Sequence, residues 1–191
     1  MKNASVASSR PYSIEIHRHN YARWCAARAY GRGLKGGGNK TAFDLIEASG
    51  LQAITKPEHI ETDVDGWLLG FMRKIEVEAK RRGIVDFTFG HAQKLVNIYL
   101  KTVLVCGEHY LHPQVVKLHP PLDFELFKGL GKFLRQNKQD YPSSSAAFSK
   151  AQKANPRWTA FSEADYMAHI NAIKSVMGSR PLYEAEEHWR L

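Results

Sequence analysis

The sequence predicts an all-α fold: a compact helical domain, or two helical lobes around a cleft, built from 191 residues. Three observations predict it. Apolar residues recur at helical spacing along several segments. Glycines at Gly50, Gly83 and Gly178 close three of those segments. No segment alternates with the period of two that a half-buried strand requires.

The elements follow in order. Residues 1–12 are read as a mobile N-terminal segment, small and polar from Met1 to Arg10, and 13–191 as a single helical domain. A first helix is expected from about Ser13 to Tyr30, with Tyr21, Trp24, Cys25 and Arg28 on one side. The glycine-rich stretch Gly31–Asn39 must end it, because clustered glycines lose too much backbone freedom to hold a helix. A second helix is expected over Lys40–Ser49. Asp63 or Asp65 can start a third that carries Trp67, Leu68, Phe71, Met72 and Ile75 at helical spacing and ends in Lys80, Arg81 and Arg82. A fourth runs from about His91 to Cys106. The stretch His109–Pro121, with three prolines, reads as an irregular insert before a helix over Asp123–Gln136. Residues 137–157, rich in Ser, Ala, Lys and Gln, read as a loop. Ser162 with Asp165 three residues on fits a capping box, and its helix aligns Tyr166, Ile170, Ile173 and Met177. A short helix over Leu182–Trp189 closes the chain.

Composition narrows the function classes. Hydrophobic residues make up 43% of the chain, enough for a packed core and too many for a disordered protein. Lys and Arg outnumber Asp and Glu by 27 to 19, and the formal charge of +8 favours a polyanionic partner. Cys25 and Cys106 form no CxxC pair, which points to a reducing, cytoplasmic setting rather than a disulfide scaffold, cluster or thiolate zinc site. The longest apolar run, Leu95–Val105, is interrupted by Asn97 and Lys101, so no membrane span is expected. No protein partner can be inferred.

Several motifs have bland readings. Gly33-Leu34-Lys35-Gly36-Gly37-Gly38-Asn39-Lys40-Thr41 superficially matches a phosphate-binding P-loop. An extra residue before the lysine and a preceding helix instead of a strand make it a flexible basic loop, one that could meet DNA through Arg32, Lys35 and Lys40. His109, His112 and His119 lie in a proline-broken stretch without a carboxylate partner, and His17 and His19 point to different sides of a helix. No metal is therefore expected.

The segment Gly90–Lys128 is more informative. Lys94, Asn97 and Lys101 stand at i, i+3 and i+7, a stripe that is ordinarily the solvated side of a mostly buried helix. It is entered, however, through Phe89-Gly90-His91-Ala92-Gln93-Lys94, where Gly90 would let the backbone approach a ligand. A basic helix end, a glycine turn and a second helix N-terminus together would present N–H groups to phosphate. Downstream, Asp123 stands where it could cap a helix, followed by Leu126, Phe127 and Lys128.

Gly90-His91-Ala92-Gln93-Lys94 with Asn97, then Asp123 with Leu126, Phe127 and Lys128, resembles the helix-hairpin-helix DNA glycosylase superfamily, of which this chain would be a divergent member. The resemblance covers about forty residues and implies a helix-hairpin-helix element over about 66–136. It implies release of a damaged or modified base from DNA without a cofactor, with strand cleavage where a lysine is the nucleophile. Lys94 would attack C1′ of a flipped nucleotide, and Asp123 would stabilise the cationic sugar or assist proton transfer. Gly90, His91, Ala92 and Gln93 would hold the phosphate backbone, with Asn97, Lys101, Arg81 and Arg82 as further DNA contacts. Tyr21, Trp24 and His119 are candidates for the base pocket. The insert and basic loops would suit a bulky modified base, in repair or antiphage defence. The competing expectation is a non-catalytic helical DNA-binding module; a third is an interaction protein whose lysine stripe is merely solvated.

Overall fold

A computed structural model describes residues 11–31 and 33–189. Among them every regular element is helical, and the arrangement is compact, as the periodicity predicts. Seven α-helices occur: α1 (Ile14–Tyr30), α2 (Asn39–Ser49), α3 (Val64–Arg81), α4 (Phe89–Leu100), α5 (Phe124–Gln136), α6 (Pro142–Ala154) and α7 (Glu163–Met177). The expected mobile segment falls, for residues 1–10, outside the described residues, as does Arg32 of the glycine-rich loop.

Four of the helix starts are marked by side chains that satisfy an orphan N–H group. Ser13, Asp63, Asp123 and Ser162 each accept a bond from the backbone N–H three residues on. The Ser162–Asp165 capping box is present in full. Gly50 ends α2 in the left-handed region, with φ 85°, and Gly83 follows α3 with φ 82°. An added Cβ is unfavourable in that region, hence glycine.

Two expectations about elements are corrected. The stretch 137–157 contains α6 instead of a loop. Pro142 begins it, where its missing N–H costs nothing, and an alanine-rich turn pattern continues it. Phe148 and Ala151 bury one face, which the serine-rich composition concealed. The fourth helix starts at Phe89, two residues before the expected His91, and widens from Lys101 to His109 into a π-helical segment. That segment ends in non-helical geometry at Gly107 and Glu108. The last element, Leu182–His188, is a 3-10 helix.

Helix α4 occupies the centre, packed against α1, α3 and α7. Phe89 through Asn97 are all buried, so the helix presents no water-facing side over that span. One contiguous apolar core draws on all seven α-helices. After the π-helical segment, the chain passes a short 3-10 turn at Val115–Lys117 and returns along α4 as an extended, buried stretch through Leu118–Leu122. A buried stretch without helical bonds must find other partners for its backbone. Those partners come from α4, and they place Asp123.

Candidate active site

Asp123 is the N-cap of α5. Its Oδ1 accepts the Leu126 N–H at 2.9 Å, which leaves Oδ2 directed back at α4. There Lys94 donates to Asp123 Oδ2 at 2.8 Å. The side chain of Lys94 is 4% exposed and that of Asp123 16%, so the pair lies at the boundary between the core and an open cavity. Burial pushes the Lys94 amine below the ordinary lysine range, and the Asp123 charge opposes that shift.

The cavity beside the pair has a volume of about 680 Å³. Lys94, Ile98 and Asp123 form one side. Ala27, Arg28 and Ala29 from α1 stand in its lining, together with Gly31 and Gly37 from the glycine-rich loop and Asn39 at the start of α2. Aromatic walls come from Phe124, Trp158 and Trp189. Lys94 Nζ sits 5.4 Å from the centre of the Trp158 ring, a cation–π contact that holds the amine at the cavity wall. Such a space, with a few convergent polar groups among rings, has the size and lining of a small-molecule site.

The residues flanking Lys94 on α4 are structural supports rather than ligand contacts. The expected phosphate contacts Gly90, His91, Ala92 and Gln93, and the expected DNA contact Asn97, are all buried, so none of them reaches an external phosphate. Gly90 stands inside the first turn of α4, not in an exposed hairpin. A Cβ there would fall 1.6 Å from the carbonyl oxygen of Trp158. Its close approach is therefore to the chain's own backbone, and it lets the Trp158–Ala160 turn lie across α4. Thr88 Oγ1 donates to the Thr159 carbonyl at 3.0 Å, and the His91 and Trp158 rings meet edge to face at 5.8 Å. Together these contacts fix the cavity's Trp158 wall.

Gln93 and Asn97 hold the returning chain. Gln93 Nε2 donates to the Leu122 carbonyl at 2.9 Å, while its Oε1 accepts the Leu122 N–H at 3.1 Å. Asn97 Nδ2 reaches the Pro120 carbonyl at 3.2 Å and Tyr166 Oη at 3.0 Å. Tyr166 bonds His119 Nδ1 at 2.8 Å, and His119 Nε2 bonds Asp65 Oδ1 at 3.0 Å. Burial lowers the pKa of His119, and in its neutral form an Nε2–H can donate to Asp65 while Nδ1 accepts from Tyr166. Lys174 completes the chain at Asp65. The stripe Lys94–Asn97–Lys101 is thus not a solvated face.

The other expected site residues divide clearly. His119 belongs to this interior network and not to the cavity. Tyr21 and Trp24 stack on each other at 6.0 Å on the exposed side of α1 and do not line the cavity. Trp24 does lie one turn before Arg28, which lines it. Lys101 is paired with Glu186 at 2.6 Å and stands over the Trp189 ring at 5.5 Å, so its charge is already engaged. Arg81 and Arg82 both pair with Glu78, and Arg82 also with Asp44, and neither lines the cavity. Sequence reasoning did not assign Arg28, Asn39, Trp158 and Trp189 to the site. Arg28 had a signal in its place on the aromatic side of α1; Trp158 had none, being brought in by a long-range turn.

Among the described residues, no group of three or more His, Cys, Asp or Glu side chains is placed to hold a metal ion. No helix among them is long and apolar enough to cross a membrane. Comparisons of the chain with protein-family models, with curated proteins and with solved structures found no match. The functional reading therefore rests on the residues themselves.

Proposed function

We propose that the protein is a DNA glycosylase that releases a damaged or modified base and can go on to cleave the strand through a lysine adduct. The observation that carries this reading is the Lys94–Asp123 pair, 2.8 Å apart and largely desolvated on the wall of an aromatic-lined cavity of about 680 Å³. A buried lysine–carboxylate pair is weak as a stabilising device, since desolvation offsets much of its attraction. Placed at the edge of a cleft with a perturbed lysine, it is what a nucleophile and its proton acceptor require.

In the proposed reaction a flipped nucleotide enters the cavity. Asp123 takes up the proton that Lys94 sheds, and the free amine attacks C1′ as the glycosidic bond breaks. The base leaves with the bonding electron pair and takes the proton that Asp123 now holds. The C1′–O4′ bond of the adduct then breaks, the ring oxygen takes a proton from the adduct nitrogen, and an iminium between Lys94 and C1′ remains. In this reading Trp158 stacks on the extruded base, and Arg28 and Asn39, which line the same cavity, read its edge.

Borohydride reduction during incubation with DNA carrying the right base or an abasic site should trap a covalent protein–DNA adduct. Lys94→Ala should abolish it, and adducts persisting in that variant would eliminate Lys94 as the nucleophile. Salt-dependent DNA binding with neither base release nor adduct, across a panel of damaged and modified bases, would replace this reading with a non-catalytic binding module.

A further inference from the structure

A second cavity, of about 690 Å³, runs between α5 and α6. Its walls are apolar rings, Phe127 and Phe148 among them, and its rim carries Lys128, Arg135, Lys138 and Arg157. No acidic residue lines it. Lys128 has only a loose partner, Glu125 at 3.9 Å, and the other three have no ion-pair partner among the described residues. All four are exposed. In contrast, the Arg81–Arg82 cluster is neutralised by Glu78 and Asp44.

This groove adjoins the Lys94 cavity at two points. Phe124 lines both, and Arg157 in the groove is followed in sequence by Trp158 in the cavity. Phe124 immediately follows Asp123 at the start of α5 and is 57% exposed, so its ring is open to a ligand from either cavity.

We infer that the α5–α6 groove carries the phosphodiester backbone of the DNA strand on one side of the reacting nucleotide. Lys128, Arg135, Lys138 and Arg157 pair with successive phosphates, and Phe124 stacks on the base next to the extruded one. The inference rests on the glycosylase reading for its partner, and it adds the path of the strand. Unpaired cations above apolar walls fit a ligand that alternates charged phosphates with stacking faces. A second copy of this chain, itself carrying a charge of +8, would meet this rim with repulsion.

The test uses the full chain and a fluorescent duplex with a central abasic-site analogue, titrated at several salt concentrations. The double variant Arg135→Ala with Lys138→Ala removes two exposed charges away from the Lys94–Asp123 pair. It should lower the slope of log affinity against log salt by about 1.8, while circular dichroism and the melting temperature stay unchanged. Phe124→Ala should weaken binding about tenfold or more by removing a stacking platform. An unchanged salt slope in the double variant, with the unaltered chain binding DNA, overturns the groove and leaves the glycosylase reading standing. Failure of the unaltered chain to bind DNA even at low salt overturns both. Polyglutamate bound as tightly as DNA, with the same loss in the double variant, would assign the groove to an acidic protein instead.

Discussion

Gln93 on α4 grips Leu122 by both of its backbone polar groups, donating to the carbonyl at 2.9 Å and accepting the N–H at 3.1 Å. A side-chain amide bonded in this way acts as a missing strand partner for an extended stretch. The next residue is Asp123, so the grip on Leu122 sets where the carboxylate meets Lys94, one residue after Gln93 on the same helix. The helix that supplies the amine also fixes its acceptor.

Replacing Gln93 should therefore damage both folding and chemistry. Gln93→Leu keeps the bulk but leaves the buried Leu122 N–H and C=O without partners, at a cost of about 3 kcal/mol. Urea unfolding should show that loss. Borohydride trapping at a temperature where the variant is still folded should be slowed as well, because Asp123 is no longer held to its position. Wild-type trapping in a folded variant would show that α5 alone positions the carboxylate.

Asp123 has two jobs that different substitutions separate. Its Oδ1 caps α5 and its Oδ2 receives the Lys94 bond. Asparagine caps helices about as well as aspartate, so Asp123→Asn should remove base release while keeping most of the stability. Asp123→Ala should lose base release and about 1 kcal/mol more in stability from the missing cap. Thermal unfolding of the two variants, beside an abasic-site release assay, checks the separation. Full base release in the asparagine variant would exclude Asp123 from the reaction.

The amine of Lys94 should titrate early. Burial lowers its pKa below the ordinary lysine range, and the Asp123 charge partly restores it. Adduct formation on a preformed abasic site should rise with pH and level off below the pH at which a solvated lysine would. In Asp123→Asn the opposing charge is gone, so the rise should move to still lower pH. Single-turnover trapping across pH measures both; a wild-type midpoint at the ordinary lysine value would place Lys94 in water.

Much of the fold and part of the site are legible in the sequence, and the division has a physical basis. Ser13, Asp63, Asp123 and Ser162 announce helix starts because capping is a local event, settled within three residues. Lys94 and Asp123 were expected together, and they meet. Gly90 misleads, since a glycine freed for a close approach does not say what approaches; the carbonyl belongs to Trp158, far along the chain. Gln93 and Asn97 look like exposed polar residues at helical spacing until a buried backbone stretch arrives to use them. His119 and Tyr166 meet for the same reason, through tertiary contacts that no local pattern carries.

The His119 network should also make the fold sensitive to acid. Burial lowers the pKa of His119 below the ordinary histidine range, so the unfolded chain binds a proton more readily than the folded one. Its contribution to stability is complete above the unfolded value and is lost as pH falls from there toward the folded one. His19 and His169 are lowered by burial too, so the readout is the difference between wild type and His119→Asn. At about pH 7 the variant should be the less stable, and the gap should narrow toward about pH 5 as wild-type His119 is driven to protonate. A gap that is constant across that range would mean that His119 does not titrate with unfolding.

The sharpest steric prediction concerns Gly90. The carbonyl oxygen of Trp158 lies 1.6 Å from where a Cβ would stand, and backbone cannot swing aside as a flexible side chain can. Gly90→Ala must push the Trp158–Ala160 turn away from α4, which breaks the Thr88 bond to the Thr159 carbonyl and shifts the indole over Lys94. The expected cost is about 1–3 kcal/mol of overpacking strain, in spite of alanine's better helix propensity. Because Trp158 walls the cavity, intrinsic tryptophan fluorescence and adduct formation should change together. A variant as stable as wild type, with unaltered fluorescence, would mean that the turn does not lie against Gly90 in solution.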